Sequence, residues 1–383
     1  MDGARWVLGP FGGGLGLGGP AFLAILCLAF LAYLVVVARA DELPRRGLVW
    51  GIAAAIVLFA LAPPLLSLDV FSYISYGRLQ LEGLNPYESA PADLPGDEAA
   101  GRVEDYRHAV SVYGPLFSAV SAPLAALGLP AALWVTKALV GLGALALVAL
   151  TGRLAAARGV DPNRALALVG LNPILLVHGV GGAHNDVFLA LAVVGAVALA
   201  QGAREALAGA ALALGAAVKA VGALPLPFAL AGADGPRGRR ATAIRLALGA
   251  AVAGLALGAG ALALYGPEAL ESLSVLGRSQ DKVSHWSVPR VISGVGLDLD
   301  LVRAALAGAC AFALLALLRW CWRGGDWVRA SGWATLAVLA ASAYVTPWYV
   351  LWALPLAALG RDRALVAATL AFTALQLRPS IPL

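Results

Sequence analysis

The stretch LSLDVFSYISYGRLQLEGLNPYE, residues 66–88, decides how this chain is read. It starts where an apolar run over 48–66 ends, and a carboxylate, Asp69, stands at the lip of that run. Aromatic residues, Arg78 and an Asn85-Pro86 turn follow at once. A run of ~20 apolar residues is what a ~30 Å hydrocarbon layer requires of a helix, so Asp69 belongs at a water–lipid boundary. Beyond it, the spacing of Val70, Phe71, Tyr73, Ile74, Tyr76, Gly77 and Leu79 predicts an amphipathic helix lying along the membrane surface. Arg78 lies on that helix, and Gly83 to Glu88 form a turn fixed by Pro86.

The rest of the chain has the same character. Of its 383 residues 61% are hydrophobic and 13% charged, against about 25% charged in a soluble domain. Mean hydropathy is +0.83. The fold class this predicts is an all-α polytopic membrane protein, a single transmembrane domain over 1–383. The net charge of +5 sits in short loops, where orientation signals belong, and gives no support to nucleic-acid binding. Cys27, Cys310 and Cys321 lie in or beside apolar runs, without disulfide or metal spacing. They read as small buried hydrophobes.

Residues 9–20 are a glycine-rich lead-in to a first apolar run at 20–38. Ala38-Arg39-Ala40 resembles a cleavage site, but the length of the run and the flanking Arg39, Arg45 and Arg46 favour a retained helix. Further apolar runs occupy 48–66, 114–129, 132–152, 165–180, 186–200, 206–220, 221–232, 242–265, 299–319, 330–346, 348–359 and 364–377. Residues 67–113 carry eight acids against three arginines and form a first large exoplasmic loop; 266–298 form a second. The arginine-bearing loops 233–245, 319–329 and 360–363 face the cytoplasm by the positive-inside rule. Between the loops at 67–113 and 233–245 the number of crossings must be odd, yet six runs lie there. One of them does not span fully, and 114–129, 206–220 and 221–232 are each short for a crossing. The expected total is about eleven to thirteen membrane segments.

Asp69 is either a cap for the helix it starts or a base at the boundary where a lipid-linked sugar donor meets a polar acceptor. A second polar island, GVGGAHNDVF at 179–188, sets His184, Asn185 and Asp186 between two apolar runs. Capping of the next helix is the plain account; hydrogen bonding to a sugar or acceptor is the functional one. Lys219 interrupts ALALGAAVKAVGALPLPF at 211–228. It either snorkels to the interface or points inward toward an anion such as a phosphate. In 277–290, Arg278, Lys282, His285 and Arg290 surround Trp286, a pattern for clamping a phosphate head group or for an interfacial loop. YVTPWYVLW at 344–352, with Trp348 at its centre, reads as an interfacial belt or as a wall for a lipid chain or sugar ring. Hydrolase, P-loop and zinc signatures do not occur.

The stretch from Leu68 to Glu88, together with YGPL at 113–116, HNDVFL at 184–189 and TPWYVLWALPL at 346–356, resembles the actinobacterial polyprenol-phosphate-mannose-dependent α-1,6-mannosyltransferases. Those belong to the GT-C superfamily of integral membrane glycosyltransferases. The resemblance implies a GT-C-like helix bundle in the bacterial plasma membrane with an active site on the exoplasmic side. It implies Asp69 as base, a polyprenyl-phosphate sugar as donor, a glycan or lipid-glycan acceptor such as a lipoglycan of the cell envelope, and no metal or other cofactor. The chemistry expected is a direct displacement with inversion, as in the glycosidases that use no covalent intermediate. Arg290, Lys219, Lys282 and Arg278 are the candidates to neutralise the leaving phosphate. His184, Asn185, Asp186, Arg78, Tyr73, Trp286 and Trp348 are the candidates to hold sugar or acceptor. The competing class is a transporter or flippase, because short broken helices and an intramembrane lysine are also transporter features.

Overall fold

The computed structural model describes residues 19–103, 106–270 and 281–377. Among them every regular element is helical. The chain enters through α1 (Gly19–Ala38) and α2 (Arg45–Leu61), which match the first two apolar runs. Next come α3 (Asp69–Leu81), α4 (Pro115–Ala125) and the long α5 (Leu129–Ala157). The bundle continues with α6 (Pro162–Gly170), a π-helical segment (Ile174–Gly181), α7 (Asp186–Gln201), α8 (Glu205–Val218) and α9 (Pro225–Ala231). It closes with α10 (Arg239–Tyr265), α11 (Val288–Ser293), α12 (Leu299–Trp322), α13 (Trp327–Ala341), α14 (Val350–Leu359) and α15 (Arg363–Leu377).

Among the described residues, α1, α5, α10 and α12 have the length and apolarity to cross a membrane, and α6 with the π segment makes a fifth candidate bent by 53°. The other apolar runs include helices of 10–17 residues. Against the expected eleven to thirteen segments, four helices, or five with the bent pair, have the length to span among the described residues, and the other apolar helices are shorter. Helices α10 and α12 carry their apolar side chains outward, with 17% and 6% of their spanning windows buried, whereas half of the α5 window is buried. Exposed Leu255, Leu264, Phe312 and Leu315 are what a lipid-facing surface requires. Inside, five threonine hydroxyls are satisfied within their own helices: Thr136, Thr151, Thr335, Thr369 and Thr373 each donate to the carbonyl four residues back. That local bond removes the penalty of a polar group in an apolar interior.

The break between α6 and the π segment is closed by side chains. Asn172 accepts the N–H of Ile174 at 2.9 Å and donates to Tyr33 at 3.1 Å, and Tyr33 donates to the Leu168 carbonyl at 2.8 Å. Freed backbone groups inside a membrane bundle need such partners.

Helix α3 forms where the spacing predicted it, but it does not lie on a surface. Val70 to Gly77 and Leu79 are all buried. Its aromatic and small residues pack inward on every side: Tyr73 meets Tyr113 and Phe117 edge-on with centroids 4.9 and 4.8 Å away, and Gly77 abuts the backbone of Ser121. A helix so covered is a wall of the interior rather than an interfacial float.

The arginines of the basic loops gather at one end of the bundle. Arg158 pairs with Asp326 and donates to the Leu359 carbonyl, Arg329 pairs with Asp362 at 2.7 Å, and the guanidiniums of Arg239 and Arg329 lie over Trp322 and Trp320. From Lys137 to Arg158, just past the end of α5, 21 steps rise about 32 Å at about 1.5 Å each. That is roughly one hydrocarbon thickness. Lys137 touches Gly181, just before His184, so the polar islands sit one bilayer away from the arginines.

Candidate functional site

Asp69 opens α3 at its first position, so it stands inside the helix rather than capping it. Opposite comes the loop after the π segment, which turns through Ala183 at φ 57° and delivers His184. The glycine before that corner is required: a Cβ on Gly182 would lie 2.6 Å from the His178 carbonyl and 2.9 Å from the His184 ring. His184 Nδ1 comes within 3.6 Å of Asp69 Oδ2. The His184 ring stacks on Trp348 with centroids 3.6 Å apart and planes 19° apart. Trp348 belongs to the short turn Pro347–Tyr349 that leads into α14.

The two carboxylates of the site have different fates. Asp186 is fully buried, takes Lys219 Nζ at 3.0 and 3.2 Å, and accepts the Trp352 indole N–H at 2.6 Å. Lys219 also lies 4.6 Å above Tyr349 and 5.3 Å above Trp352, two rings stacked on each other. So Lys219 points inward to an anion, and that anion is Asp186. Asp69 keeps 16% of its side chain exposed and opens on the cleft. Asn185 stands at the N-cap of α7 but its side chain makes no capping hydrogen bond, and Asp186 is the first residue of the helix. Asn185 is buried with both side-chain polar atoms lacking a hydrogen-bond partner.

Two cavities meet at Asp69. One, of about 220 Å³, is lined by aromatic and apolar groups with Lys219 and Lys282. The other, of about 500 Å³, is lined by Pro64, Ser67, Leu68 and Val103. Asp69, Ser72, Tyr106, Tyr344, Thr346 and Trp348 border both. The hydroxyls of Tyr106 and Tyr344 touch each other across this shared border. Lys282, on the exposed side, lies 5.1 Å over the Tyr106 ring.

Of the residues singled out by the sequence, Asp69, Tyr73, His184, Asn185, Asp186, Lys219, Lys282 and Trp348 thus lie in or against one region. Others are elsewhere. Arg78 bonds Asp97 at 3.2 Å and Glu82 at 3.4 Å and lines neither cavity. Arg290 is exposed on α11, and Trp286 offers its carbonyl to Gln376; neither borders the cleft. Arg290, expected at the phosphate, and Arg78 and Trp286, expected at the sugar, thus stand outside the lining of the two cavities. Arg278 lies outside the described residues. Sequence reasoning missed Tyr106, which stands in an acidic loop with no local signal, and Lys137, a cation inside an apolar helix that the argument applied to Lys219 could have found. Among the described residues no three His, Cys, Asp or Glu side chains converge as a metal site requires.

Residues 17–233 match the family described as alpha-(1->6)-mannopyranosyltransferase, N-terminal domain, and residues 290–380 match the MptB C-terminal domain. The chain belongs to the alpha-(1->6)-mannopyranosyltransferase family. Alpha-(1->6)-mannopyranosyltransferase A of Mycobacterium tuberculosis is 28% identical over 342 residues, covering 80% of this chain and 64% of its own length. Its counterpart A in Corynebacterium glutamicum is 30% identical over 186 residues, 46% of this chain and 36% of the relative. Alpha-(1->6)-mannopyranosyltransferase B of Corynebacterium glutamicum is 28% identical over 345 residues, 78% and 56%. The chain thus spans less than two thirds of the length of these relatives. No solved structure matches it. Both family segments contribute to the cleft: Asp69 and Lys219 come from the first, Trp348 and Trp352 from the second.

Proposed function

We propose that this chain transfers a mannosyl group from a polyprenyl-phosphate donor to a hydroxyl of a glycan or lipid-linked glycan, with inversion, at the outer face of the plasma membrane. The observation that carries the reading is the contrast between the two acids. Asp186 is held in a buried ion pair with Lys219, and freeing it would leave a buried charge unmatched at a cost of about 3–5 kcal/mol. Asp69 borders both cavities and keeps 16% of its side chain exposed, so a substrate hydroxyl that enters either cavity can reach it to give up a proton. In the reaction the acceptor oxygen gives its proton to Asp69 and bonds to the anomeric carbon. The bond from that carbon to the phosphate oxygen breaks, and the polyprenyl phosphate leaves with the electron pair. Lys282 and the Lys219 ammonium supply positive potential beside the departing phosphate. His184, braced by Trp348, orients the Asp69 carboxylate.

Sidedness is supported by the arginines gathered about one bilayer away from the cleft, which the positive-inside rule assigns to the cytoplasm. Membership of the mannopyranosyltransferase family supports transfer over transport. The test is to incubate the purified full chain with radiolabelled polyprenyl-phosphate mannose, or the glucose, galactose and arabinose equivalents, and a panel of oligomannoside acceptors. Labelled product from the mannose donor alone is expected. Label moving from another sugar donor, or from none, overturns the proposal.

A further inference from the structure

Lys137 is fully buried in the third turn of apolar α5, and among the described residues it has no carboxylate at ion-pair distance. Its ammonium instead reaches three backbone carbonyls: Gly181 at 2.7 Å, Phe59 at 3.4 Å and Val180 at 3.4 Å. Phe59 lies in the last turn of α2, and Val180 and Gly181 end the π segment. These are carbonyls that a helix C-terminus leaves without an internal partner, at the negative end of its dipole. One cation thus completes two helix ends at once.

Each of those ends leads directly into one side of the cleft. After α2 the chain passes through Pro63, Pro64, Leu65 and Leu66 to Asp69; after the π segment it passes through Gly182 and Ala183 to His184. The Leu65 N–H donates to the Gly181 carbonyl at 3.2 Å, so the same oxygen that takes Lys137 also joins the two strands of chain. Immediately beyond the junction, Leu66 and Ala183 are both in the left-handed region, at φ 56° and 57°. Side chains other than glycine hold that conformation only where the surroundings impose it. Two such corners flank a single carbonyl that a buried lysine grips.

We propose that Lys137 is a positioning residue, which through the Gly181 and Phe59 carbonyls fixes the two corners that set Asp69 against His184. This rests on Asp69 being the base. Lys137 lines neither cavity, so its loss leaves the surface offered to the donor intact. Lys137→Met keeps the length and removes the donors; Lys137→Arg keeps charge and donors. With the wild-type chain first shown to transfer sugar, the expected result for Lys137→Met is a kcat lower by about 10- to 100-fold, the effect of a misplacement of about 1 Å. Donor KM stays within about twofold on the same ground, and Lys137→Arg recovers much of the kcat. A kcat for Lys137→Met within about twofold of wild type overturns the proposal. So does a fall in kcat accompanied by an equal rise in donor KM, or one that Lys137→Arg leaves uncorrected while its thermal stability matches wild type. Should Lys137→Met fail to fold, Lys137→Gln, which retains an N–H donor, is read against the same criteria. A wild-type chain without transferase activity refutes the functional reading instead and is recognised before any variant is compared.

Discussion

At the scale of single residues, burial and pairing separate groups that look alike in the sequence. Asp69, Asp186, Lys219 and Lys137 are all charges beside apolar runs, yet of the four Asp69 alone borders both cavities, Lys219 borders the smaller one, and Asp186 and Lys137 border neither. Lys219 and Asp186 behave as one unit, completed by the Trp352 indole and the face of Tyr349. Removing one partner leaves the other buried and unmatched, which costs about 3–5 kcal/mol, while removing both costs far less. Asp186→Asn and Lys219→Met alone are therefore expected to lower the thermal midpoint in detergent strongly, and the double variant to recover most of it. Additive losses would show that the pair is not coupled. Asn185 is the residue whose place the sequence conveyed least well: a capping role was reasonable, but its amide lies buried with no bond to the helix start.

At the scale of elements, the bundle depends on close backbone approach and on caps at its ends. Helices α8 and α10 cross where a Cβ on Gly209 would collide with the Leu246 carbonyl and one on Gly249 with that of Ala206. Small residues at such crossings are how membrane helices gain contact. Gly249→Leu is expected to destabilise by at least about 1–3 kcal/mol, measured by thermal unfolding, whereas Gly254→Leu, which meets open space, is expected to be nearly silent. Asp362 starts α15 by accepting the N–H groups of Ala364 and Leu365 at 2.9 and 3.2 Å. Burial works against its ionised form, but the Trp333 indole, those two amides and Arg329 outweigh it and hold the carboxyl below its ordinary 3.8. A lowered folded value stabilises above the unfolded one and is lost as pH falls through the folded one. Wild type should thus exceed Asp362→Ala by about 1 kcal/mol near neutrality, with the gap closing as pH drops below 3.8. A gap unchanged in acid would contradict this. The existence and limits of α1, α7, α10 and α12 were legible because long apolar runs leave few alternatives. The burial of α3 was not: its pattern has apolar and small residues on every side, and periodicity does not say what another chain segment will cover.

At the scale of the whole molecule, charge asymmetry and the position of the cleft are one fact seen twice. The arginines bind the ends of α5, α13 and α15 together on one side, and the cleft gathers Asp69, Lys219, Trp348 and Trp352 on the other. In a background lacking Cys27, Cys310 and Cys321, Glu88→Cys should react with an impermeant thiol reagent on intact cells and Asp234→Cys only after permeabilisation, both positions being exposed. The reverse pattern would invert the molecule and refute an outer-face reaction. The sequence carried the class, the polar islands and the basic loops, because hydropathy and charge are local. It did not carry the meeting of residues 69, 184 and 348, or the tyrosine contact between 106 and 344. Those depend on how bent and shortened helices pack, which no local pattern encodes.

The central claim is that Asp69 takes the acceptor's proton, and it is tested most directly by the initial rate of mannosyl transfer in Asp69→Asn, with donor binding measured alongside. The account predicts a rate lower by at least about 10²–10⁴-fold with donor affinity nearly unchanged. A variant that keeps more than about a tenth of wild-type turnover, well inside the contribution of a general base, would contradict it.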